Sequence, residues 1–305
     1  MAGAAVDSRD LELVAADGNR FAAFAAFASG AEPTALASGS AGPGRAVAGE
    51  PEATGPAVAA EPAVAAEPEA TGPAEADEPV DASAIEPGVA EPAAAGVVIL
   101  PDVRGLHPYY EELALRFAEA GIDAVAIDYF GRTAGVGKRA EGFDFGGHVA
   151  QTTWDGLRAD IAAGFGWLRD ERGPRTISSV GFCFGGRLAF VVAALAELEL
   201  AGVVGFYGRP VGPGRGDVPA PADLASEMSC PVLGLFGGAD EGIPATDVAA
   251  FDDALTEAGV AHELVTYPGA PHSFFDRHQE RFASESADAW ERMLAFIRHP
   301  ASIGA

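Results

Sequence analysis

The sequence predicts an α/β protein whose mainly parallel sheet is covered by helices on both faces. Short apolar runs of strand length, such as Gly96–Leu100 and Gly202–Phe206, alternate along the chain with longer segments of helical spacing. Because these runs are apolar throughout, both faces of each strand are expected to be buried, as they are between two helix layers. Hydrophobic residues make up 49% of the 305-residue chain, which is enough for a sizeable core.

The predicted elements begin with a hairpin, in which strands Leu11–Ala15 and Phe21–Phe27 flank the turn Asp17-Gly18-Asn19. Further strands are predicted at Gly96–Leu100, Ala124–Ile127, Ile177–Val180, Gly202–Phe206, Val232–Phe236 and Glu263–Tyr267. Helices are predicted at Tyr109–Ala120, His148–Arg169, Gly185–Ala196, Ala245–Ala258 and Gln279–Arg298. This alternation is typical of consecutive βα units.

Residues 31–95 differ sharply in composition from the rest of the chain. They contain ten prolines, twelve acidic residues, one basic residue and no aromatic residue, and EPEATGPA occurs twice with a period of 17 residues. Such a segment buries too little apolar surface to offset its ordering entropy, so we predict a disordered, extended insert. The alternative is a spacer or partner-docking arm. The predicted organisation is an N-terminal hairpin in residues 1–30, the insert in 31–95, and the main body of the same domain in 96–305.

The formal net charge of −26 argues against binding to nucleic acid or to an anionic membrane. No apolar run approaches the roughly 20 residues of a spanning helix, and the N-terminus lacks a signal-peptide pattern. Two cysteines are too few for a disulfide framework, and no histidine–carboxylate cluster has metal-ligand spacing. We therefore expect a cytoplasmic monomer or small homo-oligomer that needs neither a metal nor another cofactor.

Cys183 is the candidate nucleophile, since it lies where a predicted strand passes into a predicted helix. The segment Gly181-Phe182-Cys183-Phe184-Gly185 has the form of a nucleophile elbow, with cysteine in place of serine. The two glycines allow strand and helix to approach each other, and the helix N-terminus favours a thiolate. Two alternatives are a small buried hydrophobic residue and a phosphate-binding glycine loop. Cys230, which has no glycine turn, is interpreted as structural.

Asp240 and His272 follow Cys183 in the chain order expected for an acid and a base. Each residue comes directly after a predicted strand, so both are expected at the carboxyl edge of the sheet. His107 is the other histidine expected near that edge, and Glu241 could replace Asp240 on spacing alone. The consistent order of the three segments favours a Cys183–His272–Asp240 triad.

These segments resemble the dienelactone hydrolase (carboxymethylenebutenolidase) family of α/β-hydrolases. The resemblance rests on GFCFGG around Cys183, GGADEGIP around Asp240, PGAPHSFFDR around His272 and PDVRGL after the first parallel strand. It covers the chain apart from the insert and implies an α/β-hydrolase fold. It also implies that the backbone amides of Phe184 and Val103 form the oxyanion hole.

The resemblance further implies residues that act on the substrate. Well-known members have a glutamate that helps switch the cysteine to thiolate, and Asp102 occupies that position here, one methylene shorter. Family arginines bind the substrate carboxylate, for which Arg277 and Arg104 are the candidates. Both could instead be surface ion-pair residues.

The function expected from these residues is hydrolysis of a lactone or small carboxylic ester through a thioester acyl-enzyme. The substrate is a small molecule that could carry a carboxylate. One alternative is a general carboxylesterase or thioesterase with the same fold. A more distant alternative is a non-catalytic binding protein that uses the acidic repeat for docking.

Overall fold

An eight-stranded sheet forms the centre of the computed structural model, which describes residues 6–28, 95–140, 142–173 and 175–303. The strand order is β1-β2-β4-β3-β5-β6-β7-β8. The strands are β1 (Asp7–Val14), β2 (Arg20–Phe27), β3 (Ala95–Leu100), β4 (Asp123–Ile127), β5 (Thr176–Phe182), β6 (Gly202–Phe206), β7 (Val232–Gly237) and β8 (His262–Tyr267).

Helices connect the strands along the chain. They are α1 (Pro108–Glu119), α2 (Gly131–Ala134), α3 (Phe145–Val149), α4 (Trp154–Arg172), α5 (Phe184–Val192), α6 (Ala245–Ala258) and α7 (Ala283–Arg298). Short 3-10 segments cover Ala196–Leu198, Pro221–Glu227 and Pro300–Ser302.

The predicted fold class is confirmed. β1 and β2 form the predicted antiparallel hairpin, β2 pairs antiparallel with β4, and every pairing from β4 through β3 to β8 is parallel. All residues of β3, β4, β6 and β7 are buried, as expected for strands covered on both faces. Because the parallel strands run in one direction, the loops after them meet at a single edge, where α/β proteins bind ligands.

The prediction of one long helix over His148–Arg169 is wrong. His148 belongs to the short helix α3, and α4 begins separately at Trp154. The hydroxyl of Thr153 accepts a hydrogen bond from the amide of Gly156, so Thr153 caps a new helix rather than continuing the preceding one.

Two other predicted helices are too long. Helix α5 ends at Val192 rather than at Ala196, because the next three amides donate to carbonyls three residues back and tighten the chain into 3-10 turns. Helix α7 begins at Ala283 rather than at Gln279, since the amides of Arg281 and Phe282 both donate to the carbonyl of His278 in a turn.

Residues 29–94 lie outside the described residues, so the predicted insert and the three-part organisation remain predictions. The described residues on either side of this segment both lie next to Asp123. The amide of Ala28 donates to Asp123 Oδ1 at 2.8 Å, and Gly96 is the register partner of Asp123. The Asp123 carboxylate is buried and also pairs with Arg172 and Arg175. These contacts hold Ala28 and Gly96, on either side of residues 29–94, at the amino edge of the sheet. This edge lies opposite the strand ends that lead to Asp240 and His272.

Replacing residues 31–92 by a short Gly/Ser linker is expected to leave the domain folded. β2 and β3 flank β4, so their ends are two strand spacings apart, about 10 Å, which about six residues can span. The melting temperature of the shortened protein should stay within about 4 °C of the full chain, measured by differential scanning calorimetry. A larger loss of stability would show that the removed segment contributes to the fold.

Candidate active site

Cys183 connects β5 to α5 through a strained backbone turn. Its φ is 54° and its ψ is −108°, in a region that non-glycine residues seldom adopt. Such strain persists only where the surrounding structure enforces it, and it is concentrated at functional sites. The amide of Cys183 donates to the carbonyl of Phe206 at 3.0 Å, which holds the turn against the neighbouring strand.

The two glycines of the turn are required by close backbone contacts. A Cβ atom at Gly181 would collide with the carbonyl group of Gly185. A Cβ atom at Gly185 would collide with the carbonyl oxygens of Leu100 and Pro101, which end the adjacent strand β3. The spacing of the two glycines therefore has a steric cause. A larger residue at Gly181 would push α5 away from β5, and one at Gly185 would push α5 away from the end of β3.

Asp240 and His272 meet across two loops at the same edge of the sheet. Nδ1 of His272 donates to Oδ2 of Asp240 at 2.6 Å, and the other carboxylate oxygen accepts from the amide of Gly242 at 2.9 Å. Asp240 is buried, whereas His272 is partly exposed to the cavity. The carboxylate therefore fixes both the tautomer and the direction of the imidazole.

The electrostatic environment of His272 favours its protonated form. Burial by itself would lower the pKa of His272, but the hydrogen bond to Asp240, the neighbouring Cys183 and the charges of these two residues raise it to about 10. This effect requires the sulfur of Cys183 and the imidazole to be neighbours. An imidazolium beside the sulfur in turn stabilises a thiolate.

A cavity of about 390 Å³ opens at this point of the sheet edge. Both Cys183 and His272 line it. The remaining lining residues are Phe184, Arg187, Tyr207, Arg209, Pro213, Gly214, Arg215, Gly242 and Ile243. Three of these residues are arginines and none is acidic, although the chain contains 45 acidic residues. The site is therefore a positively charged cavity in an acidic protein.

The three arginines of the cavity were not identified from the sequence. Arg187 is buried in α5 and donates to the carbonyls of Arg209, Gly212 and Val218 at 3.0, 2.9 and 3.1 Å. Burial and the charge of Arg209 lower the pKa of Arg187 to about 10. Arg187 thus holds the loop that carries Arg209 and Arg215. The sequence signal that could have indicated Arg209 and Arg215 is the position of this Gly/Pro-rich loop directly after β6.

The two predicted oxyanion donors lie at the ends of neighbouring strands. Phe184 begins α5 directly after Cys183, and Val103 follows β3. Within the described part of the chain, neither backbone amide donates to another protein group. The Val103 loop is fixed by Tyr129, whose hydroxyl donates to the carbonyl of Pro101 at 3.0 Å and whose ring packs edge-on against Phe184. Both amides are thus available to an external acceptor.

The structure places Asp102, Arg104 and Arg277 together, but outside the lining of this cavity. Nε of Arg104 donates to both carboxylate oxygens of Asp102, at 3.0 and 2.9 Å, and Nη2 of Arg104 donates to Asp276 at 2.9 Å. Nη2 of Arg277 is 4.0 Å from Asp102 Oδ2. The guanidinium of Arg104 is therefore already used in ion pairs, and the arginines that reach the cavity are others.

The competing histidine and the second cysteine, which was interpreted as structural, both have inert environments. His107 packs against the rings of Tyr109 and Tyr110, and burial together with the charge of Arg104 lowers the pKa of His107 to about 4. His107 is therefore neutral near pH 7, and within the described ranges it makes neither a hydrogen bond nor an ion pair with Asp240. Burial raises the pKa of Cys230 to about 12, which keeps this thiol protonated.

Two further properties concern the described residues as a whole. No group of three or more His, Cys, Asp or Glu side chains within those ranges is arranged to hold a metal ion. Among the helices of the same ranges, none combines the length and the hydropathy that a bilayer span requires.

The Cys183 thiol is expected to react with iodoacetamide at pH 7 at least about tenfold faster than the same thiol in an His272→Gln protein, because the imidazolium stabilises the thiolate. Intact-mass measurement over time gives the rate, and a Cys183→Ser protein supplies the background from Cys230. Equal rates in the parent and His272→Gln proteins would contradict the charge pairing.

Comparison with known proteins identifies a family. The model of the family described as "Dienelactone hydrolase family" matches residues 80–300 of this chain. A protein from Methylorubrum extorquens named "Putative carboxymethylenebutenolidase" is 30% identical over 218 residues, covering 68% of this chain and 75% of that protein. A protein of the same name from Yersinia pestis is 30% identical over 211 residues, covering 68% of this chain and 79% of its own length.

Solved structures give the same fold. A crystal structure titled as a putative dienelactone hydrolase from Klebsiella pneumoniae superposes with a TM-score of 0.68 at 22% identity, covering 96% of this chain and 99% of the other. A dienelactone hydrolase-like promiscuous phosphotriesterase from metagenomic libraries superposes with a TM-score of 0.61 at 17% identity, covering 96% and 98% of the two chains. At these identities the likeness establishes the α/β-hydrolase fold.

Proposed function

Because the chain belongs to the dienelactone hydrolase family, we propose that it hydrolyses a lactone or small carboxylic ester with Cys183 as nucleophile, His272 as general acid and base, and Asp240 as the residue that orients His272. The observation that carries this proposal is the 2.6 Å hydrogen bond from His272 Nδ1 to Asp240 Oδ2, at the cavity that both His272 and Cys183 line. A base oriented by a carboxylate and placed against a nucleophile is the arrangement that acyl transfer requires.

In the acylation step, the thiolate of Cys183 attacks the carbonyl carbon and the carbonyl oxygen becomes an oxyanion. The free amides of Phe184 and Val103 are the donors for that oxyanion. When the tetrahedral intermediate collapses, the bond from carbon to the leaving oxygen breaks, and the imidazolium of His272 gives its proton to that oxygen. The products of this step are a Cys183 thioester and neutral His272.

In the deacylation step, neutral His272 takes a proton from water as the water oxygen attacks the thioester. The carbon–sulfur bond then breaks, the carboxylic acid product leaves, and the thiolate–imidazolium pair is restored. In a lactone the leaving oxygen stays attached to the acyl chain, so water must compete with it for the thioester. The hydrogen bond to Asp240 keeps Nδ1 protonated throughout, which leaves Nε2 for both proton transfers.

The charge of the cavity supports a substrate that carries a carboxylate. Arg209 and Arg215 are exposed on the loop after β6, and among the described residues Asp247, 3.8 Å from Arg209, is the only acidic residue within ion-pair distance of either. Arg187 adds a third positive charge behind them. In an acidic chain such a cavity concentrates small anions near the nucleophile. We therefore assign the substrate carboxylate to Arg209 and Arg215 in place of Arg104 and Arg277.

The same site also supports a second candidate, a general carboxylesterase. In the family that the chain resembles, a carboxylate at the position of Asp102 switches the cysteine to thiolate. In this structure the carboxylate of Asp102 is bound by Arg104. Asp102 also lies outside the lining of the cavity that contains Cys183. An enzyme whose cysteine is not activated through this carboxylate does not depend on a particular lactone as the trigger. Comparing turnover of dienelactone and of p-nitrophenyl acetate separates the two candidates.

Cys183→Ala and Cys183→Ser proteins are expected to lose at least about 1,000-fold in kcat toward p-nitrophenyl esters, because the covalent route is removed. Acid-quenched wild-type protein should show the added mass of one acyl group on Cys183. Melting temperatures confirm that the variants are folded. Undiminished turnover by Cys183→Ala would exclude Cys183 as the nucleophile.

The arginine assignment predicts discrimination between matched esters. An Arg209→Gln/Arg215→Gln protein should lose about fivefold or more in kcat/KM for p-nitrophenyl hemisuccinate, because charge-assisted contacts to its carboxylate are lost. Its kcat/KM for neutral p-nitrophenyl butyrate should stay within about twofold. Arg158→Gln, which removes an exposed arginine of α4, is the matched control. Equal losses for both esters would contradict the assignment.

A further inference from the structure

Tyr207 lies between the imidazole of His272 and a group of buried charges. Its ring centroid is 4.9 Å from that of His272, with an angle of 56° between the planes. Its hydroxyl donates to Oδ1 of Asp276 at 3.1 Å. Tyr207 is almost completely buried, so its hydroxyl would lack a partner without this carboxylate.

Asp276 is in turn fixed by an ion-pair cluster, which consists of Asp102, Arg104 and Asp276. Arg104 donates from Nη2 to Asp276 Oδ2 at 2.9 Å and from Nε to both oxygens of Asp102. The side chains of Asp102 and Asp276 are 4% and 2% exposed, so solvent screens these contacts little. The cluster therefore gives the hydroxyl of Tyr207 a rigid anchor.

The backbone of Tyr207 is as constrained as its side chain. Its φ is 39°, in the left-handed region that a bulky residue seldom occupies. Its amide donates to the carbonyl of Leu235 at 2.8 Å, and a Cβ atom on the next residue, Gly208, would collide with Gly186 of α5. Tyr207 is thus held at both ends, by its backbone against β7 and α5 and by its hydroxyl against Asp276.

A single hydrogen bond does not fix an imidazole ring. The bond to Asp240 places Nδ1 but still allows the ring to tilt about the line that joins Nδ1 to the carboxylate. A second contact to the ring, away from Nδ1, restricts this tilt. The ring of Tyr207 supplies that contact, and it can do so reproducibly only if its own plane is fixed.

We propose that Tyr207 is a positioning residue for His272. The ring of Tyr207 holds the imidazole in the orientation needed for proton transfer, and it can do so because its own hydroxyl is anchored on Asp276. This inference rests on the proposed triad. The imidazole is then oriented from two sides, by Asp240 at Nδ1 and by the tilted ring of Tyr207. Small errors in the position of a proton-transfer group reduce kcat far more than they reduce substrate binding.

The test compares Tyr207→Phe with Tyr267→Phe. Tyr267 is a matched control because its hydroxyl also donates to an aspartate, Asp288, at 2.8 Å and its ring also packs on Phe274. In the part of the chain that the structure describes, the ring of Tyr267 does not pack against His272. Tyr207→Phe should lower kcat for p-nitrophenyl butyrate about tenfold with KM within about twofold. Tyr267→Phe should change both constants by less than about twofold. Equal effects of the two variants on kcat would overturn the proposal.

A double-variant experiment tests the route through Asp276. Asp276→Asn should lower kcat about tenfold in the wild-type background and by less than about twofold in the Tyr207→Phe background, because Tyr207 transmits the effect. An undiminished effect of Asp276→Asn in the Tyr207→Phe protein would overturn the proposal. Melting temperatures identify loss of folding. Turnover by Cys183→Ala distinguishes failure of this inference from failure of the proposed function. Only the proposed function predicts that this variant loses its activity.

Discussion

The hydrogen bond from His272 to Asp240 is the interaction on which the rest of the site depends. It joins loops that follow two adjacent parallel strands, β7 and β8. Gly237 allows these loops to lie close together, because a Cβ atom at this position would collide with the carbonyls of Ala270 and Pro271. The amide of Ala239 also donates to the carbonyl of Ala270 at 2.9 Å. Asp240 and His272 are therefore brought together by the ends of the sheet rather than by long flexible side chains.

The fold and the meeting of Asp240 with His272 could be predicted from the sequence because their signals are local. Apolar runs, glycine turns and the order of Cys183, Asp240 and His272 are all visible within a few residues of each position. The break between α3 and α4 was missed because it depends on a single capping hydroxyl, that of Thr153. The exact ends of helices depend on such individual hydrogen bonds, which a periodic pattern does not show.

The residues around the triad could not be predicted, because their roles depend on tertiary contacts. Arg104 follows β3 and Asp276 follows β8, and only the fold brings them within 2.9 Å. Arg209 and Arg215 reach the cavity because Arg187, more than 20 residues earlier in the chain, holds their loop. A sequence pattern shows that these side chains are charged, but it does not show which other charged groups lie next to them in the fold. The pairing of Asp102 with Arg104 is the clearest case, since the resemblance alone gave both residues a different role.

The central claim is that Asp240 and Cys183 together hold His272 in its protonated form in the free protein. The most direct measurement is an NMR titration of the imidazole Cε1 resonance of His272 in the wild-type and Cys183→Ala proteins. We expect the wild-type imidazole to lose its proton only near the raised pKa of about 10, and at a lower pH when the sulfur is removed. Titration near the ordinary histidine pKa of about 6.5 in both proteins would contradict it.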